Sequence, residues 1–198
     1  MRKATSLIAE KATSLFAKKP TLLVAAYSII REQEKIAIGN IKFGITKTEY
    51  NRQKTIFLNK CGKPGYYKIG EYVFDDMKGL FHNGKLYWVY LIGDPIKYDD
   101  YDLLMPSQYE SLISIMRKKY KAPERIQGLP KWNHLNKSDI IHCAEWEIGG
   151  KDIDILIRCN GVDYSLSVII DRTDISRKIS EEKEARKNES NDKGADLL

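Results

Sequence analysis

The segment His142-Cys143-Ala144-Glu145-Trp146-Glu147 gathers an imidazole, a thiol and two carboxylates within six residues, the groups from which metal centres and nucleophilic pairs are assembled. Read as a strand, it sends His142, Ala144 and Trp146 to one face and Cys143, Glu145 and Glu147 to the other, because side chains alternate along an extended backbone. On that reading His142 and Cys143 share neither a metal nor a nucleophilic pair through this strand alone. His82 stands beside the turn Asn83-Gly84, and His134 lies in the loop 130–134. A second concentration of polar groups runs from Gly93 to Asp102, with Asp94, Asp99, Asp100 and Asp102 set among Tyr98 and Tyr101. It lacks the ligand ladder, the sharp-turn glycine and the closing glutamate of a calcium loop. Aromatic anchors with polar neighbours are what protein contacts use, so Tyr98, Asp99, Asp100, Tyr101 and Asp102 are the candidate partner-binding residues of an acidic linker. The sequence contains no GxGxxG, GxxxxGK[ST], GxSxG or HExxH, which removes the commonest nucleotide, hydrolase and zinc-protease mechanisms. No catalytic, cofactor-binding or metal-binding residue is assigned, and no cofactor is expected.

The elements that must position these groups follow from turn and cap signals. Thr46-Lys47-Thr48-Glu49 is a capping box, and the helix it opens carries Tyr50, Lys54, Phe57 and Cys61 on one face and stops at Gly62 before Pro64. Ser107-Gln108-Tyr109-Glu110 repeats the device after Pro106, with Tyr109, Leu112, Ile113, Met116 and Tyr120 at helical spacing before Pro123. Strands follow each helix. The first set is Tyr67 to Phe74, Lys78 to His82 and Lys85 to Ile92, joined by the hairpin signal Asn83-Gly84. The second is Ile140 to Ile148, Asp152 to Cys159 and Val162 to Ile170, joined by Gly149-Gly150 and Asn160-Gly161. A leading strand, Ile36 to Phe43, is expected to pair beside the first set. The architecture is α+β: two repeated helix-plus-three-strand units forming antiparallel sheet with helices on one face, preceded by an N-terminal helical arm. The expected boundaries are an arm or signal-like segment over 1–35, a first unit over 36–105, a second over 106–172, and a charged helical or disordered tail over 173–198. Tyr87 to Ile92 is apolar on both faces. Either the arm covers it or it is a partner patch that displays Tyr87 and Tyr90.

Composition narrows the class. With 42% hydrophobic and 30% charged residues among 198 and a mean hydropathy of −0.45, the chain reads as a soluble globular protein. The longest apolar run, Thr21 to Ile30, is half of what a membrane span needs. The formal charge of +6 is unevenly placed. Residues 1–35 hold seven Lys/Arg against three Glu, whereas 36–171 hold nineteen against seventeen. A nearly neutral body argues against nucleic acid as the partner, and only the basic arm supports a nucleic-acid-associated or virion role. The arm opens with a near-repeat of eight residues, from Lys3 to Glu10 and Lys11 to Lys18, which reads as an amphipathic helix. Lys18 and Lys19 before the apolar run read as an export signal, against a helix that docks on the body. Three cysteines, Cys61, Cys143 and Cys159, exclude a disulfide scaffold. A single Cys143–Cys159 bridge between neighbouring strands is open to an exported chain, against free buried thiols.

The order Gly44-Ile45-Thr46-Lys47-Thr48-Glu49-Tyr50, then Cys61-Gly62-Lys63-Pro64, then Leu86-Tyr87-Trp88-Val89-Tyr90 resembles the BamE/SmpA-like outer-membrane-assembly lipoproteins. The tandem units are similar in character to those of the β-lactamase-inhibitor-protein family. The resemblance covers Gly44 to Tyr90; the second unit matches in outline, since Tyr120-Lys121-Ala122-Pro123 lacks the glycine. No cysteine precedes Cys61, so the family's lipid anchor is not expected. What the resemblance implies is a fold that binds other proteins through sheet faces and loops, without catalysis. The expectation is therefore a non-enzymatic interaction module for a protein partner, at the cell envelope. The competing expectation is a small-molecule-binding or metal-dependent enzymatic domain that uses the cleft between the units.

Overall fold

The computed structural model describes residues 28–195, with side chains described to residue 188. The amphipathic repeat over 3–18 and the apolar run as far as residue 27 lie outside the described residues, as does the export reading that rests on them.

Helical residues 28–35 (α1) lead into a small hairpin, β1 (Ile36–Ile38) and β2 (Ile41–Lys42), which turns at Gly39 with φ of +56°. The single leading strand expected over 36–43 is thus folded back on itself and pairs outside the main sheet. Thr46 caps α2 (Lys47–Cys61), its Oγ1 accepting from the Glu49 amide at 3.3 Å. The other half of the box does not form, because Glu49 spends its carboxylate on Arg52 and Gln53. The helix ends at Gly62, where φ is +143° and an added Cβ would meet the Tyr66 carbonyl oxygen at 2.5 Å.

Nine of the described strands make one antiparallel sheet. Its first part is β3 (Gly62–Lys63), β4 (Tyr66–Ile69), β5 (Tyr72–His82), β6 (Lys85–Gly93) and β7 (Ile96–Lys97). Its second is β8 (Arg125–Ile126), β9 (Ile140–Ile148), β10 (Lys151–Cys159) and β11 (Asp163–Arg172). The spatial order is β3-β4-β5-β6-β11-β10-β9-β8, with β7 also paired to β11. The strand expected over 67–74 is broken at Gly70, whose φ of +63° turns the chain, and Asp75-Asp76 is an irregularity inside β5, not the end of a strand. Asn83 and Gly84, at φ +49° and +74°, make the expected two-residue hairpin. Strand β6 pairs with β11 from Val168↔Leu91 to Asp171↔Trp88. At this seam the backbones close in: a Cβ on Gly93 would sit 1.7 Å from the Leu166 carbonyl oxygen.

Helix α3 (Tyr101–Tyr120) starts six residues before the expected Ser107 cap and contains Pro106. It crosses the expected boundary at 105/106. The reason is packing. Tyr101 and Met105 continue the stripe of Tyr109, Leu112 and Met116 at steps of three and four, and both are fully buried. That burial outweighs the one helical hydrogen bond that a proline forfeits. Helices α2 and α3 cover one face of the sheet, where Tyr50, Leu112 and Ile113 join Phe74, Met77, Val89, Leu91, Ile155, Ile157 and Val168 in a single core. A last helix, α4 (Thr173–Ala195), leaves the end of β11 and meets the ends of β10 and β11.

Candidate functional site on the uncovered sheet face

Among the described residues no helix lies over the middle of the opposite face of the sheet, and the covering by the arm weighed for Tyr87 to Ile92 falls outside them; the register lays the side chains of this face out in rows. One row reads Leu80, Trp88, Asp171, Asp152, Glu147 across β5, β6, β11, β10 and β9. The next reads Lys78, Tyr90, Ile169, Asp154, Glu145, and ends at Arg125 on β8. The face therefore has an aromatic and apolar half and an acidic half.

A β-bulge adds His142 to the acidic half. From the Gly149-Gly150 turn, β9 and β10 pair as Ile148↔Lys151 down to Ala144↔Ile155, after which Leu156 pairs with His142 and Cys143 is skipped. One extra residue reverses the alternation beyond it. His142 consequently comes out on the same side as Glu145, against the strict alternation expected from the sequence, while Cys143 turns into the core with no exposure. His142 Nδ1 is in hydrogen-bond contact with Asp154 Oδ2 on the neighbouring strand and 3.9 Å from Glu145 Oε1. These three residues are the one potential metal-holding group among the described residues, each offering a donor atom within 4.8 Å of the others. Beside them Glu124, Glu147, Asp152 and Asp171 line a depression of about 310 Å³. Burial pushes the Asp154 carboxyl up against the pull of His142, with Glu145 and Asp171 adding to the rise. Burial also raises Asp171, Asp152 and Asp174 push the same way, and the Ser176 hydroxyl, which donates to it at 2.8 Å, opposes them.

On the other half, Leu80 is 47% exposed and Trp88 and Ile92 are half-buried. Trp88 stands 5.4 Å from Tyr90, ring to ring. Tyr90 is buried under the Arg158 guanidinium, 5.0 Å from its ring, and donates to Ser167 Oγ at 3.1 Å. Tyr87 is half-buried beside the irregularity that β6 shares with β5.

The acidic segment over 98–102 is a short 3-10 turn followed by the start of α3, in place of a linker loop. Asp99, Asp100 and Asp102 are exposed, and so is Tyr98, which pairs with Trp132 at 6.3 Å. Tyr101 points inward, 2% exposed, with its hydroxyl donating to the Pro130 carbonyl at 2.7 Å and its ring edge-on to Tyr164. His82 contacts Asn83, and His134 is exposed. All three cysteines are free thiols. The bridge weighed for Cys143 and Cys159 is ruled out by register: the Cys159 amide bonds to the Asp139 carbonyl at 3.1 Å, just before β9 and four residues from Cys143, or ~13 Å at strand spacing, beyond the ~7 Å reach of a disulfide.

On the helical side, an apolar cavity of about 350 Å³ opens between the β1–β2 hairpin, α2 and α3, walled by Ile38, Phe57, Cys61, Leu112 and Met116 with Lys119 at its margin. Comparison with known proteins finds no matching family model, no matching curated protein and no matching solved structure.

Proposed function

We propose that the chain is a protein-binding module that presents to its partner the sheet face that the described helices leave open. The observation that carries the reading is the division of that face. Leu80, Trp88 and Ile92 leave apolar surface open on β5 and β6, and the carboxylates of Glu147, Asp152 and Asp171 adjoin it across three further strands. Aromatic and aliphatic anchors supply affinity, and a field of one sign supplies register and speed of encounter. The fitting partner carries an apolar contact flanked by lysine or arginine. Descent from two related helix-and-meander units is part of this proposal, supported by the sheet order β4-β5-β6-β11-β10-β9, in which each meander ends at the central seam. Kinship with the BamE/SmpA-like lipoproteins and a place at the cell envelope rest on the residue order from Gly44 to Tyr90.

The test compares proteins retained from the source cell by the native chain, by Trp88→Ala and by Asp152→Lys. A partner retained by the native chain, then purified and bound in a two-component titration, should bind at least about tenfold more weakly to both variants. Equal binding by all three would place the interface elsewhere. The cavity between α2 and α3 favours a second reading, capture of a small apolar ligand. Displacement of a fluorescent anionic probe by fatty acids, blocked by Leu112→Trp, would support it.

A further inference from the structure

We infer that His142, Glu145 and Asp154 form a site for a divalent transition-metal cation of the zinc class, clamping β9 to β10 on the uncovered face. The geometry comes from the bulge at Cys143, which re-aims His142 out of the alternation and toward Asp154. One nitrogen and two carboxylate oxygens then lie within 4.8 Å of one another, close enough for modest side-chain rotation to bring each to ~2.0–2.2 Å from a shared ion.

One observation points to a ligand independently of how many carboxylates are gathered there. Asp154 Oδ1 is shut from solvent and accepts no hydrogen bond. A buried carboxylate oxygen without a donor is costly, and a coordinated cation is the partner that removes the cost. Arg125 Nη1, 3.6 Å from Glu145 Oε1 and on a side chain 65% exposed, is the cation that a bound metal would turn out toward solvent.

The donor set selects the metal. One imidazole with two carboxylates suits zinc, whereas calcium takes six to eight oxygens and has no use for the ring. Three protein ligands leave one tetrahedral position for water or for a donor from another molecule. The inference does not rest on the protein-binding proposal.

The experiment is calorimetric titration of zinc chloride, and separately calcium chloride, into the tag-free full chain after chelator treatment. It is repeated with His142→Ala, Asp154→Asn and, as a control, His82→Ala. One equivalent of zinc should bind, with affinity at least about tenfold weaker in the two ligand variants, unchanged in His82→Ala, and with no heat from calcium. Failure of the native chain to bind zinc, or undiminished affinity in His142→Ala, overturns the site. His142 is half exposed, so His142→Ala keeps its fold, as circular dichroism would verify, even if Asp154→Asn does not.

Discussion

Lys151 Nζ donates to the Gln33 carbonyl oxygen at 2.7 Å and to that of Ile36 at 3.2 Å, so a fully buried lysine closes the C-terminal end of α1. The last carbonyls of a helix lack intrahelical partners and carry its negative end. The ammonium also sits 4.6 Å from the Tyr120 ring. Burial, helped by Lys119 and opposed by Glu34, brings Lys151 down from 10.5 to about 7. Above pH 7 the unfolded chain keeps a proton that the native state has released, so this residue makes stability rise with pH from about 7 toward 10.5. Below 7 the full burial penalty is present. Thermal melts of the native chain should therefore climb between pH 7 and 8.5, before cysteine and tyrosine ionise. Lys151→Met should be less stable and lose that slope; the same slope in the variant would assign it to another group.

Gly93 is the residue that lets the two halves of the sheet meet. A Cβ there would lie 1.7 Å from the Leu166 carbonyl oxygen and 2.7 Å from its carbon, and backbone cannot swing aside as a side chain can. Gly93→Ala should cost about 2–3 kcal/mol, read as a lower denaturant midpoint. Exchange of the β6 and β11 amides should accelerate most, and a loss spread evenly over the chain would argue against the seam as the cause.

Thr46→Ala removes the side-chain oxygen that accepts from Glu49 N and should cost about 1 kcal/mol. Glu49→Gln should cost less, because its carboxylate makes only surface contacts with Arg52 and Gln53. The reverse order in chemical denaturation would mean that the glutamate, and not the threonine, starts α2.

Where a local rule acts alone, the sequence was readable: Thr46 as a cap, Gly62 as a stop, and Asn83-Gly84 and Gly149-Gly150 as turns. The errors fall where tertiary packing outvotes a local signal. Ser107 and Pro106 mark a helix start in every local sense, yet burial of Tyr101 and Met105 carries α3 past them. Gly39 and Gly70 make turns inside segments whose flanking residues read as continuous strand. The site was hidden by the same mechanism, since nothing in Ile140 to Ile148 announces a bulge at Cys143. Its trace was arithmetic: Cys159, opposite Asp139 in the structure, would stand one residue out of register on a strand with uninterrupted pairing from the Gly149-Gly150 turn. Asp171 could not be joined to Asp152 until the β10–β11 register was known.

Asp152 and Asp171 face each other across β10 and β11, and like charges directly opposite on a sheet should cost stability at neutral pH. Asp171 is raised by burial first and by Asp152 among its neighbours. An acid whose native pKa lies above its unfolded value holds a proton that the unfolded chain has lost, so its contribution falls as pH rises from just under 4 through the native pKa. Asp152→Asn removes one of the repelling charges. It should stabilise the chain at pH 7 by up to about 1 kcal/mol and weaken the decline between pH 4 and 7. Melting curves of the two proteins across that range, at low salt, should converge at the acid end and separate toward neutrality. Curves that remain parallel would show that the two carboxylates do not sense each other. Convergence would identify this half of the face as a region kept acidic against stability, as expected where charge serves binding.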